Sequence, residues 1–520
     1  MKIELLLTVF LIFAISDGVS YKILAVLPIP SISHQVVFRK ITQELARRGH
    51  EITVITPDPI YRNGDAPSNF IEIDVHDISY SLWAKVVTHS LNITGEPMTF
   101  EDIREGCKFF VSLFQLQFET EAVQEVISKN EKFDLILIES IVRPALAYSY
   151  VFKAPVILVS SFTAVFSNNK IIGSPTHPLL YPICFRNRLY NLSFAEKIHQ
   201  LYLHYMYEYA DYLNEKEESN ILRKIFGSEF PSLHELGNNV DMLLLNIHSL
   251  WADNQPVAPN VIYMGGIHQL PRKELPKDLK SYLDSSKSGV IYVSFGTNVL
   301  SNMIPEKQIV AIINVLSKLP YDVLWKWDGD SLPLTSTNIR TSKWFPQSDL
   351  LRHPAIKLFI TQAGLQSTDE AITAEVPLIA FPMLADQWFN AEKYEKFNIG
   401  IKLHILSFTE KQLETAIDDV INNKSYRRNI IKLRHLMRDQ PETPLNRTIW
   451  WIEHVLRHGG AKHLRSPAAN MSYIDYFEVK LMLFILLLIT VFILAFILVL
   501  KCFTKFIIRF FSNKNKIKYN

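Results

Sequence analysis

The sequence predicts an α/β protein of two parallel-sheet domains carried on one C-terminal transmembrane helix, and three observations carry that prediction. Strand-like apolar runs alternate with amphipathic helical stretches from the first residues after a hydrophobic leader. A Pro- and Lys-containing passage, "GGIHQLPRKELPKDLKSYLDSSKSG", interrupts the alternation, which then restarts. Near the end, "VKLMLFILLLITVFILAFILVLK" holds about twenty apolar residues without a charge, enough at about 1.5 Å per residue to span a hydrocarbon core of about 30 Å.

The elements follow in order. Residues 1–20, "MKIELLLTVFLIFAISDGVS", have Lys2, an apolar core from Leu5 to Ile15 and a small, polar end, the form of a cleavable secretory signal; a buried strand or uncleaved anchor is the alternative. In the first domain, 21–265, "YKILAVLPIP" reads as a strand, "SHQVVFRKITQELARRGH" sets Val37, Ile41 and Leu45 on one helical face, and "EITVITP" is a second strand. "FDLILIES" and "APVILVSS" are continuous apolar runs, which marks strands of a parallel sheet buried on both faces. Residues 162–240 hold one aromatic-rich helix, "AEKIHQLYLHYMYEYADYLNEKEES", either a cover over a ligand cleft or a membrane-facing surface; its tyrosine stripe reads first as helix packing.

Residues 266–280 form a linker. The second domain, 281–455, restarts with strand "VIYVSFG", a helix from about Pro305 to Leu319, strand "DVLWKW", and strands "IKLFIT" and "PLIAFP" with helices between. Thr409 and Gln412 make a capping box that opens a further helix. A juxtamembrane segment, 456–479, leads to the membrane helix, 480–500, and a basic tail, 501–520.

Composition narrows the function. A chain of 520 residues with 48% hydrophobic and 20% charged residues supports sizeable cores, and a net charge of +2 argues against a nucleic-acid partner. Lys501, Lys505, Arg509, Lys514, Lys516 and Lys518, with no acid among them, place the tail in the cytosol and the body in the lumen. The terminus "KIKYN" resembles a dilysine retrieval signal of endoplasmic reticulum membrane proteins, with a plain basic tail as the alternative. Sequons at Asn92, Asn191, Asn423, Asn446 and Asn470 suit a lumenal body. Cys107 and Cys184 allow at most one lumenal disulfide, Cys502 lies beyond the membrane, and three cysteines build no thiolate metal cluster.

Ligands of open parallel sheets bind beyond the carboxyl ends of the strands, where helix N-termini offer free amides and a positive dipole. "VSFGTN" ends a strand with Ser294, Gly296 and Thr297. "FITQAGLQSTDEAI" ends a strand at Thr361 and Gln362 and opens a helix near Gln366, so Gln366, Ser367 and Thr368 can serve a pyrophosphate. Glu370, three residues past Ser367 on the same face, is placed to accept from a ribose diol. A third apolar run stops at Asp386-Gln387. By spacing alone these features describe a nucleotide-binding α/β protein.

The segment "WFPQSDLLRHPAIKLFITQAGLQSTDEAITAEVPLIAFPMLADQ" resembles the signature of UDP-glycosyltransferases, with Trp344, Pro346, Gln347, His353, Pro354, Gly364, Ser367, Glu370, Pro377, Pro382, Asp386 and Gln387 at the expected spacing. The layout from leader to basic tail is similar to the membrane-anchored animal enzymes, and "TQAGLQSTDEAI" to their insect branch. The resemblance implies two facing Rossmann-like doubly wound domains of GT-B type, the first binding a small lipophilic acceptor and the second a UDP-sugar. It places Trp344 on the uracil with Gln347 beside it. Ser294, Thr297, Gln362 and Ser367 fall at the diphosphate, Glu370 at the ribose, Asp386 and Gln387 at the sugar, and Gly296, Gly364, Gln366 and Thr368 among the donor-binding positions.

It further implies inversion at the anomeric carbon with a His base held by an acid, and no cofactor or metal. His34 in "PSISHQ" matches that base, at a helix start whose dipole favours the neutral ring. The aligned acid is Glu139, where many members have Asp, with Asp134 ranked second and expected to be structural. Gln362 stands where many members have His, Glu375 where a helix-ending Gly is usual, and Ala385 where Gly usually precedes Asp-Gln. The implied activity is transfer of a sugar, glucose by analogy, to hydroxyls of small lipophilic acceptors from a type I position in the endoplasmic reticulum membrane, in a detoxifying role. A carrier that kept the fold but lost turnover is the alternative, and a homo-oligomer stays open.

Overall fold

The computed structural model describes residues 20–517 apart from 62–63, 90–95, 97, 166 and 300–302; the leader, Asn92 and the end of the basic tail lie outside the described residues. Strands β1 (Lys22–Val26), β2 (Glu51–Thr56), β3 (Phe70–Asp74), β4 (Leu135–Glu139), β5 (Val156–Ser160), β6 (Val240–Leu245) and β7 (Val261–Tyr263) form one parallel sheet in the order β3-β2-β1-β4-β5-β6-β7. Strands β8 (Val290–Ser294), β9 (Asp322–Lys326), β10 (Ile339–Ser342), β11 (Ile356–Thr361), β12 (Leu378–Ala380) and β13 (Gly400–Lys402) form a second, in the order β10-β9-β8-β11-β12-β13. In each sheet the order reverses between two adjacent strands, β1 and β4 or β8 and β11, and loops diverging there leave a crevice at the carboxyl ends.

Period-2 alternation sends each apolar strand to two helix layers at once. In β1, Ile23 and Ala25 pack with Val37, Ile41 and Leu45 of helix Ile32–Arg47. Leu24 and Val26 face the other way, into Leu113 and Phe114 of helix Phe100–Phe118. In β8, Ile291 and Val293 pack with Ile309, Ile312 and Ile313 of helix Glu306–Leu316, the helix expected from about Pro305. Removing one such buried Ile or Leu side chain to Ala costs about 2–5 kcal/mol. The Thr409–Gln412 capping box is present at helix Glu410–Asn422.

Residues 444–455, set by the sequence at the end of the second domain, belong to helix Pro444–Arg457, which lies on the first. Its stripe of Ile449, Ile452, Val455 and Leu456 packs with Val37, Ile41 and Leu45, and Glu453 receives Arg48 at 3.2 Å. Sequence shows that stripe but not its partner, because the contacting residues lie some four hundred positions away. The chain then runs through a short helix, Tyr473–Tyr476, into helix Val479–Ile517, whose apolar stretch Val479–Phe511 is long enough to cross a membrane and is unburied throughout. That helix continues past Lys501, where the sequence sets the tail. The tyrosine stripe of helix Phe194–Phe226 does not pack as expected: Tyr202, Tyr205, Tyr209 and Tyr212 are exposed, while Tyr207 and Ala210 on the opposite face are buried. Cys107 and Cys184 are buried free thiols and make no disulfide.

Candidate active site

Pairing of β1 with β4 brings the two ends that matter together. Val26 is in register with Ile138, so the loop leaving β1 lies beside Glu139, the last residue of β4. That loop turns into helix Ile32–Arg47 with Ser31 at its N-cap, which puts His34 in the first turn. His34 Nδ1 and Glu139 Oε1 are 2.5 Å apart, and the Ile29 amide donates to Glu139 Oε2 at 3.1 Å. The carboxylate is 1% exposed, so both of its oxygens are committed. Gln35 Nε2 donates to the Leu27 and Ile29 carbonyls at 3.0 Å and fixes the loop that supplies the amide. The longer reach of Glu is therefore absorbed here by contact with a helix-borne imidazole. Asp134 sits at the other end of β4 and accepts the Lys22 amide at 2.8 Å, a structural role.

A cleft of about 1100 Å³ opens between the two domains, and His34 lines it together with residues of the second sheet's carboxyl edge. Ser294 ends β8, and Gly296 follows with φ +79°, where a Cβ would run into the Gln362 amide; only Gly fits. Gln362 is held by Thr361, whose Oγ1 donates to its Oε1 at 3.2 Å. Gly364 is the N-cap of helix Leu365–Ala374, so free amides face the cleft beside Thr297, Gln366 and Ser367. Gln366 also reaches across the interface, donating to the Ser161 carbonyl at 2.9 Å. Thr368 departs from the sequence reading: its hydroxyl is buried, bonded to the Gly364 carbonyl at 2.9 Å and to Tyr394 Oη at 2.6 Å, because it falls on the inner face of the helix.

Gln347 organises the outer end. It accepts from Tyr292 Oη at 3.1 Å and donates to Ser367 Oγ at 2.9 Å and Glu370 Oε2 at 2.8 Å. Trp344 beside it is 57% exposed, an indole face with room for a flat ligand at the cleft mouth. Burial raises the Glu370 carboxyl to about 6 against the opposing pull of Gln347. Asp386 is likewise raised to about 6 by burial, opposed by the Asn390 side chain, which donates to its Oδ2 at 2.8 Å, and by His34 nearby. Gln387 Oε1 accepts the Met383 and Leu384 amides at 2.7 and 2.8 Å, which shapes the loop carrying Asp386.

Two departures from the signature have local explanations. Glu375 and Ala385 adopt φ of 61° and 49°, the left-handed region where Gly is free of strain. Glu375 is held there by Arg434 at 2.5 Å. The sequence reading overlooked Lys326, at the end of β9, whose ammonium donates to the Gly296 carbonyl at 2.9 Å and pairs with Asp328 at 2.6 Å. Its place at a strand's carboxyl end was the available signal. Asn298 was also missed; it meets Ser31 of the first domain at 3.2 Å. Among the sequons, Asn191, Asn423 and Asn446 are exposed, whereas Asn470 is buried and donates to the His234 carbonyl and Asn238, which leaves no room for a glycan on the folded surface.

Residues 22–517 match the family model described as "UDP-glucoronosyl and UDP-glucosyl transferase". The chain belongs to this family. Its relatives include an ecdysteroid UDP-glucosyltransferase of Spodoptera littoralis nuclear polyhedrosis virus, 33% identical over 495 residues that cover 91% of this chain and 95% of the relative. UDP-glucosyltransferase 2 of Dactylopius coccus is 28% identical over the full length of both chains. Among solved structures, the calicheamicin glycosyltransferase CalG4 superposes with a TM-score of 0.55 at 15% identity, covering 84% of this chain and 99% of that one. Arabidopsis thaliana UGT89C1 complexed with UDP-L-rhamnose gives 0.54 at 16% identity, with 85% and 99% covered. The glycosyltransferase thus has the GT-B fold, and as a member of this family it transfers a sugar from a UDP-sugar donor.

Proposed function

We propose that this glycosyltransferase moves glucose from UDP-glucose to a hydroxyl of a small lipophilic acceptor, inverting the anomeric centre, with His34 as general base. The observation that supports this reading above others is the His34–Glu139 pair opening onto the same cleft as the strand ends of the second sheet. With Nδ1 engaged by Glu139, Nε2 is the nitrogen left for a substrate hydroxyl. As that hydroxyl attacks C1, His34 takes its proton and Glu139 stabilises the imidazolium. The C1–O bond to the diphosphate breaks on the opposite face, and UDP leaves with its charge met by the amides at the start of helix Leu365–Ala374 and by Lys326, without a metal.

Trp344 stacks on the uracil, Gln347 and Glu370 take the ribose side, and Asp386 with Gln387 takes the sugar hydroxyls. Leu82, Trp83, Phe109, Phe110 and Phe162 give the other half of the cleft its apolar wall, suited to a lipophilic acceptor. The viral relatives named for an ecdysteroid agree with an acceptor of that class. The leader, the basic tail and the apolar helix support a single-pass endoplasmic reticulum protein with a lumenal body. Full-length protein and His34→Ala, given four UDP-sugars with phenols, flavonoids and steroids, should show glycoside formation by wild type with UDP-glucose and a loss of about a hundredfold or more in the variant. Absence of product from every donor, with UDP still bound, overturns this reading in favour of a carrier.

A further inference from the structure

Helix Phe194–Phe226 runs for 33 residues and carries an exposed stripe, in which Tyr209 stacks on Phe100 and Tyr205 meets the ring of His204. Phe194, Ile198, Tyr202, Tyr205, Tyr209 and Tyr212 are each between 54% and 81% exposed. At 100° per residue they fall within an arc of about 80°, and at 1.5 Å per residue they extend about 27 Å. The opposite face is the one that packs: Tyr207 donates to the Met98 carbonyl at 2.5 Å, and Asn214 accepts from Arg104 at 2.8 Å. Soluble surfaces rarely leave so long an aromatic row uncovered, and tyrosines side by side are what the headgroup layer of a bilayer accommodates, ring in the apolar boundary and hydroxyl in the wet one.

The cover over this stripe is indicated by its continuity with the anchor. Tyr473, Ile474, Tyr476 and Phe477, the residues leading into the apolar helix at Val479, are also exposed. Tyr473 Oη donates to Glu208 Oε1 of the long helix at 2.6 Å, beside the edge of the stripe. The aromatic collar of the anchor and the stripe are thus fixed to one another, and a membrane that receives the first lies against the second.

We infer that the stripe from Phe194 to Tyr212 is a second membrane contact, which lays the catalytic body on the lipid interface instead of leaving it tethered by the anchor alone. This rests on the membrane-anchored reading and extends it. Helix Phe100–Phe118 lies between the long helix and the cleft, lining the latter with Ile103, Phe109 and Phe110. The acceptor wall therefore stands about one helix spacing, roughly 10 Å, behind the lipid contact. Acceptors dissolved in the bilayer then enter from the side on which they concentrate.

The test uses full-length protein in phosphatidylcholine vesicles. With Cys502→Ala to remove the exposed thiol, Tyr205→Cys or Tyr212→Cys is labelled with a nitroxide, and Asp330→Cys serves as the control. The expected result is that the labels at 205 and 212 collide with oxygen at least fivefold more than with a water-soluble nickel chelate, and that the control shows the reverse. Labels at 205 and 212 as accessible to the chelate as the control, in protein that resists alkaline carbonate extraction, overturn the contact while leaving the anchor intact. Extraction of the protein by carbonate overturns the anchor instead. Dipolar broadening between labels, persisting in detergent, overturns the lipid contact in favour of a second copy of this chain. As a functional arm, Tyr202→Ser, Tyr205→Ser, Tyr209→Ser and Tyr212→Ser combined should raise the apparent KM for a membrane-partitioning acceptor severalfold in vesicles, with no change for a water-soluble one.

Discussion

Replacing Glu139 by Gln keeps the size of the side chain and removes its charge, in a site whose geometry leaves the amide no harmless orientation. One oxygen of Glu139 accepts the Ile29 amide at 3.1 Å and the other meets His34 Nδ1 at 2.5 Å, in a pocket 1% exposed. An amide can satisfy only one arrangement. With its oxygen toward Ile29, its NH2 faces Nδ1 and forces the proton onto Nε2, where it blocks base function. With its oxygen toward His34, two N–H groups collide at Ile29, and a buried donor is left unpaired at a cost of about 1–3 kcal/mol.

The lost attraction between imidazolium and carboxylate adds to this. At roughly 4 Å and an effective dielectric of 20 it is about 4 kcal/mol, which corresponds to roughly a thousandfold in rate. The expectation for Glu139→Gln is thus a kcat lower by about 10³, with KM for UDP-glucose changed less than about threefold because the donor half of the cleft is untouched. Initial rates of UDP release at saturating donor and acceptor measure it. Retention of more than a tenth of the wild-type kcat, or a loss confined to KM, refutes the assignment of Glu139 as the partner of the base.

Trp344→Ala should weaken UDP binding by about 1–3 kcal/mol, read by titration calorimetry, because the exposed indole offers the stacking face and little else. Glu370 and Asp386 both have folded-state carboxyls raised to about 6, above the ordinary carboxylate range, so the empty cleft is destabilised as pH rises through that window. Glu370→Gln should therefore raise the melting temperature of the ligand-free protein at pH 7.5 but not at pH 4, while weakening UDP binding at least tenfold. Donor KM for the wild type should climb below pH 6 as the same carboxyls gain protons. Glu375→Ala keeps the left-handed strain and loses the Arg434 pair, whereas Glu375→Gly loses the pair and relieves the strain, so the Gly variant should be more stable than the Ala variant by about 1 kcal/mol in thermal denaturation.

Two parallel sheets and a C-terminal apolar helix of membrane length were legible in the sequence, because continuous apolar strands, helical periodicity and an uncharged run are local patterns. The 44-position signature from Trp344 to Gln387 was legible as one wall of the cleft in the same way: its residues follow consecutive strand ends, where spacing fixes facing. The remaining features depend on long-range contact. Packing paired His34 with Glu139 through the β1–β4 register, turned the Thr368 hydroxyl inward, brought Lys326 to the Gly296 carbonyl, carried helix Pro444–Arg457 back onto the first sheet, and left the tyrosine stripe exposed near the apolar C-terminal helix. Periodicity names the apolar face of an element, but the partner of that face lies elsewhere in the chain, and only packing selects it.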